Sequence, residues 1–180
     1  MTSESVIVRQ RFLYEPEQAA LRIPCVYLTA SLEDAMHADR LLASVGMRAQ
    51  RARTLEIAIS LLRVLDSRVL LVDETYPDGD WQQAAQRLIG ERSEAVLVVA
   101  TAVDSRALWR EVAESGGFDL VIKPLTGKEL CAVLWEADRY ARTYLSHEPV
   151  SDAGLESEAT GWLQMLKTRI LLALTRRQTV

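Results

Sequence analysis

Short apolar runs and stripes of helical spacing alternate along the middle of the chain. Cys25–Ala30 is a brief apolar run rich in strand formers. Ser31 follows as a helix N-cap. From Leu32 the apolar positions Ala35, Met36, Leu41, Leu42 and Val45 recur at helical spacing until Gly46. Met47–Arg53 is a weak, arginine-rich strand, and Thr54 opens a second helix whose Leu55, Ala58, Ile59, Leu62 and Leu65 face inward. Val69–Asp73 reads as a strand buried on both faces. Pro77-Asp78-Gly79-Asp80 is a turn signal, and a helix runs from about Trp81 to Arg92. Ala95–Thr101 is the next strand. Asp104 or Ser105 caps a helix that stops near Gly116-Gly117, and Asp119–Lys123 is the last strand. Thr126-Gly-Lys-Glu129 has the form of a capping box, opening a helix that runs past Tyr140 toward Ser146.

Five strand–helix units in succession predict an α/β fold, a doubly wound parallel sheet with helices on both faces. The expected domain spans 24–140. Residues 1–23 form an N-terminal extension in which Val6–Val8 and Phe12–Tyr14 are broken by Arg9, Gln10 and Arg11. Residues 141–180 hold the end of the fifth helix, a linker near 147–156 and an amphipathic helix from about Glu158 to Arg176. Trp162, Leu163, Leu166, Ile170 and Leu174 give that helix an apolar stripe, flanked by Lys167, Arg169, Arg176 and Arg177. The stripe suits packing on the domain or a homodimer through the C-terminal helices; a basic amphipathic helix can also lie on a membrane surface, which its length and charge favour less.

Composition narrows the function classes. The chain has 180 residues, 49% of them apolar, which is enough to bury a core without disulfides or a structural metal. A net charge of −4 argues against broad nucleic-acid binding, which needs a strongly basic face. The one clear helix of the tail is too little for a helix-turn-helix, so no direct DNA binding is expected. The basic cluster Arg48, Arg51 and Arg53 reads as a solvated edge. Cys25 and Cys131 stand far apart and read as small buried apolar residues; His37 and His147 are too few for a histidine metal cluster. No secretory signal and no run long enough for a membrane span is present, so a cytoplasmic protein is expected.

In doubly wound sheets, ligands and chemistry gather at the carboxyl ends of the strands. Those ends carry Thr29-Ala30-Ser31, Asp73-Glu74, Thr101-Ala102 and Lys123-Pro124. Here the chain resembles the receiver domain of bacterial response regulators, the CheY-like, flavodoxin-like (βα)5 module of two-component and phosphorelay signalling. The resemblance rests on Val69-Leu-Leu-Val-Asp73 with Pro77 four residues on, Val98-Val-Ala-Thr101-Ala102, and Asp119-Leu-Val-Ile-Lys123-Pro124. It implies that Asp73 stands at the phosphoacceptor position and that Lys123 pairs with it. It implies that Thr101 is the hydroxyl that contacts a phosphoryl oxygen, and that Leu120 stands where an aromatic switch ring is common. It places the interaction face on the fourth helix, fifth strand and fifth helix, where Trp109 and Trp135 either pack inward or anchor a partner.

One departure from the receiver pattern is large. Receivers carry an acidic pair after the first strand that, with the acceptor aspartate, holds Mg²⁺; here Thr29 and Ala30 occupy those places. Glu33 and Asp34 follow a turn later, and Glu74 should alternate away from Asp73, so none of them readily completes the site. The expectation is a degenerate, non-enzymatic pseudo-receiver without a cofactor, acting by protein–protein contact with a sensor kinase or other signalling protein. The alternative is a conventional regulator phosphorylated on Asp73 with Mg²⁺. A flavodoxin-like enzyme or nucleotide binder is a remote third, since no glycine-rich phosphate loop follows Leu28 and no Ser/His/Asp set is evident.

Overall fold

The computed structural model describes residues 22–145 except residue 93; side chains are described from Cys25 onward. The expected lead-in before Arg22, the linker with His147, and the tail helix with its Trp162–Leu174 stripe lie outside the described residues.

Five strands form one parallel sheet: β1 (Arg22–Leu28), β2 (Met47–Ala52), β3 (Val69–Asp73), β4 (Val96–Thr101) and β5 (Asp119–Ile122), in the order β2-β1-β3-β4-β5. The helices α1 (Leu32–Ala43), α2 (Leu55–Val64), α3 (Trp81–Glu91) and α4 (Arg106–Glu114) make the four crossovers that parallel pairing requires, and α5 (Gly127–Tyr140) follows the last strand. This is the flavodoxin-like (βα)5 arrangement. The chain turns outward from β1 to β2, then returns past β1 to β3 and continues the other way. The reversal opens a crevice between the carboxyl ends of β1 and β3.

Strand alternation sorts the core into two layers. Cys25 and Tyr27 of β1, Val69 and Leu71 of β3, and Val98 and Ala100 of β4 pack with Ala38 and Leu42 of α1 and Leu130, Leu134 and Ala137 of α5. Val26, Leu28, Leu70, Val72, Leu97, Val99 and Leu120 face the other way, onto α2, α3 and α4. The central strands are buried on both faces, as their unbroken apolar runs require.

Several expectations needed correction. β1 begins at Arg22, not Cys25, so the domain reaches into the segment assigned to the extension. Its register slips by one residue between Arg22 and Cys25, and that bulge accommodates Pro24, which has no N–H for a ladder. Met36 is 54% exposed and Val45 is also exposed, because α1 contacts the core through Ala35, Ala38 and Leu42 with partial help from Leu41. That helix ends at Ala43 on a Ser44 cap, and Gly46 takes the left-handed turn (φ 72°) that leads into β2. The Pro77–Asp80 turn joins a two-residue antiparallel ribbon, Thr75–Tyr76 with Gly79–Asp80, before Asp80 caps α3. Thr126 is the N-cap of α5, but its side chain makes no capping bond, so the expected capping box is not formed. After Tyr140 the helix widens into one π-helical turn, Ala141–Leu145. No helix among the described residues is long and apolar enough to cross a membrane.

The end of α4 illustrates how tightly its glycines are specified. Gly116 adopts φ 80°, and the amides of Gly116 and Gly117 bond back to the carbonyls of Ala113 and Val112 at 3.3 and 2.8 Å. A Cβ on Gly117 would stand 2.5 Å from Val112 Cγ1 and 3.0 Å from the Val112 carbonyl oxygen. Gly117→Ala is therefore expected to cost about 1–3 kcal/mol by overpacking, read as a lower urea midpoint at unchanged m-value.

Candidate functional site

Asp73 ends β3 at the mouth of the crevice. It points to the α1/α5 side of the sheet, sharing the parity of Val69 and Leu71. Its carboxylate is almost wholly buried and both oxygens are engaged. The Tyr27 hydroxyl donates to Oδ1 at 2.7 Å, and the Thr29 hydroxyl donates to Oδ2 at 2.5 Å. Lys123 Nζ lies 2.7 Å from Oδ1. Three donors thus meet one buried carboxylate and satisfy both of its oxygens.

Lys123 is shared. Its ammonium also donates to Asp34 Oδ2 at 2.7 Å, which ties the β5 end to the first turn of α1. Burial works against the charge of Lys123, but bonds and charges from Asp34 and Asp73 outweigh it and raise its pKa above the ordinary 10.5. Burial and the adjacent Asp73 likewise push the Tyr27 phenol far above its ordinary 10.0. Ser31 supports the wall of the site: its Oγ caps α1 through the Asp34 amide, and its own amide donates to Thr29 Oγ1 at 3.0 Å. His37 Nε2 reaches the Leu125 carbonyl oxygen at 2.9 Å, joining α1 to the loop after Lys123.

Thr101 ends β4 and is 1% exposed. Its hydroxyl donates to the Glu74 carboxylate and accepts from the Val103 amide at 3.0 Å. Leu120 is buried on the opposite face, toward α4. Trp109 is partly buried against that same layer, whereas Trp135 is 60% exposed on α5. The fold therefore gathers Asp73, Lys123, Thr101 and the Thr29-Ala30 pair around the strand ends. Leu120, Trp109 and Trp135 lie outside the hydrogen-bonded set. Sequence reasoning missed Tyr27 as a site residue. Its parity with Asp73 across neighbouring strands was the available signal, but the reach of its ring was not. Asp34 does enter the site, held by Lys123 across 89 positions of sequence, and Glu74 does turn away from Asp73, toward Thr101.

These donors do not fit Mg²⁺. The positions after β1 offer a hydroxyl and a methyl group, and the hydroxyl is already bonded to Asp73. Both nearby carboxylates are bonded to Lys123. Among the described residues no group of three or more His, Cys, Asp or Glu side chains is placed to hold a metal.

No protein-family model matches the chain, and no curated protein matches it. Solved structures do. The signal receiver domain of a Vibrio parahaemolyticus protein described as a Luxo repressor aligns over 71% of this chain and 100% of its own, with a TM-score of 0.62 at 16% identity. This chain has the fold of a response regulator receiver domain. A CheY-like receiver domain from Methanospirillum hungatei JF-1 aligns over 68% of this chain and 98% of its own, with a TM-score of 0.59 at 14% identity. The beryllofluoride-activated NtrC4 receiver domain dimer aligns over 66% of this chain and 99% of its own, with a TM-score of 0.59 at 18% identity. Receiver domains are thus consistently the structural neighbours of residues in the described region.

Two measurements probe the Asp73 network of this receiver fold. Tyr27→Phe removes one buried donor to a charge and should lower unfolding stability at pH 7 by about 1.5–3 kcal/mol, an effect that largely disappears in an Asp73→Ala background. Lys123 and Tyr27 both hold their protons more tightly folded than unfolded. Their stabilisation is complete below pH 10 and is lost as pH rises through the raised folded values. Denaturation midpoints should fall steeply above pH 10, less so in Lys123→Met, with Tyr27 contributing no tyrosinate absorbance until the chain unfolds.

Proposed function

We propose that this chain is a receiver-like signal-transduction module of the two-component type that works by protein–protein contact, with Asp73 serving as a structural hub instead of a phosphoryl acceptor. The observation that carries this reading is the occupancy of the carboxylate: Tyr27, Thr29 and Lys123 satisfy both oxygens from within the chain. Phosphoryl transfer to Asp73 would need one oxygen freed as nucleophile and the developing charge compensated. In this reading Thr29 and Ala30 cannot supply a metal site for that compensation.

The domain covers roughly 22–145, and the C-terminal extension is a candidate homodimer surface. Its partner is a sensor kinase or another signalling protein. The contact face is built from α4, β5 and α5, where exposed Trp135 is an aromatic anchor and Trp109 a partly buried one. Leu120, fully packed, takes the place of a movable ring.

A second reading keeps Asp73 as a phosphoacceptor, and the placement of Asp34 favours it: one acidic side chain besides Asp73 does reach the pocket through Lys123. Incubation of the full chain with Mg²⁺ and acetyl phosphate, or with beryllofluoride, separates the two. The expected result is no mass adduct and unchanged tryptophan fluorescence. A stoichiometric adduct that is lost in Asp73→Asn would overturn the structural-hub reading in favour of the second.

A further inference from the structure

α4 is the helix most lightly seated on the sheet. Val112 is its one fully buried side chain, whereas α1, α2, α3 and α5 each bury three or four. Leu108 and Trp109 add only partial contact. A helix with so little buried area takes its position from its ends, and its local opening is governed there. The C-terminal end is fixed by the Gly116-Gly117 turn. At the N-terminal end Ser105 caps the helix, and the connection Ala102–Asp104 leads back to Thr101.

Thr101 is held from one side by Glu74. The hydroxyl has one proton and two acceptors in reach, the Glu74 carboxylate and, at 3.3 Å, the Val103 carbonyl; Glu74 is the nearer, and the oxygen accepts from the Val103 amide. Glu74 is itself fixed by its backbone. Its amide donates to the Ala100 carbonyl at 3.2 Å, and its carbonyl accepts from the amide of buried Trp81 at 3.1 Å. Glu74 therefore spans three elements: the end of β3, the start of α3 and the exit of β4 toward α4. It shares no hydrogen bond with the Asp73–Lys123 set among the described residues.

We propose that Glu74 is a positioning residue, a carboxylate latch that occupies the Thr101 hydroxyl and thereby holds the β4–α4 connection, and with it α4, in one arrangement without any external oxyanion at the strand ends. This rests on the contact-driven reading above and supplies its mechanism: the face carrying Trp109 is set by an internal anion. A charged acceptor bonds a hydroxyl more strongly than a neutral one, so an incoming oxyanion must displace Glu74 to recruit Thr101. Glutamine at this position keeps the reach and an acceptor oxygen. Aspartate, one methylene shorter, does not keep the reach.

Amide hydrogen exchange on the full chain, without Mg²⁺ or a phosphoryl donor, tests the latch. In Glu74→Ala, Glu74→Asp and Thr101→Val the amides of Val103 and of α4 should exchange roughly tenfold or more faster, while those of β1 and α2 keep wild-type rates. Glu74→Gln, which keeps an acceptor oxygen but loses the charge, should exchange faster than wild type but slower than Glu74→Ala, and Glu74→Ala combined with Thr101→Val should add nothing to Thr101→Val alone, which by itself also removes the acceptor of the Val103 amide. The latch is wrong if Val103 and α4 keep wild-type protection in Glu74→Ala or Thr101→Val, if the two effects add, or if Glu74→Gln behaves as Glu74→Ala does. Should Glu74→Ala lose protection in β1 and α2 as well, Thr101→Val and Glu74→Gln decide the matter. A phosphorylated Asp73 would leave this outcome intact, and a failed latch would leave the adduct result intact, so the two failures are distinguishable.

Discussion

A carboxylate placed at the end of a buried central strand must be compensated, and Asp73 sets that demand for the whole upper edge of this domain. An isolated charge there would cost several kcal/mol in lost hydration. The chain meets the demand with a phenol from β1, a hydroxyl from the residue after β1 and an ammonium from the end of β5. Because Lys123 also holds Asp34, the same network fixes the first turn of α1. Three stretches far apart in sequence, residues 27–34, the end of β3 and the end of β5, are thus registered against one another around a single acid.

This arrangement changes what the strand ends can do. Doubly wound sheets place their chemistry at the crevice where the strand order reverses, and here both oxygens of the carboxylate at that crevice are engaged by bonds within the chain. Thr29, the first residue after β1, donates its hydroxyl to the carboxylate at 2.5 Å. The pocket retains the aspartate, threonine and lysine of the resemblance while their hydrogen-bonding capacity is met from within. The sheet and its two layers do not depend on which donor satisfies the acid, so the fold by itself does not fix what the site does.

The energetics of the two layers differ. α2 and α3 bury continuous apolar stripes against β1, β3 and β4, and α1 and α5 do the same on the opposite face. α4 contributes little to either core, so its placement depends on a glycine turn at one end and on the Thr101–Glu74 bond at the other. Central strands buried on both faces and one lightly seated helix give the domain a stable body with one less strongly held face.

Element order was legible in the sequence because periodicity is local: buried strands read as unbroken apolar runs, and helices as stripes with caps at Ser31, Thr54 and Ser105. Asp73, Thr101 and Lys123 were legible for the same reason, since each stands at the end of a recognisable strand. The exposure of Met36 and the missing side-chain bond of Thr126 were not, because both depend on how far a helix leans on its neighbours. What the sequence determined alone was therefore the alternation, the parallel sheet and the side chains presented at its edge. What tertiary structure decided was who bonds to whom there. Lys123 finds Asp34 across 89 positions, Tyr27 reaches Asp73 across 46 and Glu74 takes Thr101 across 27. Such pairings follow from strand order and helix tilt, which a pattern of apolar spacing does not encode.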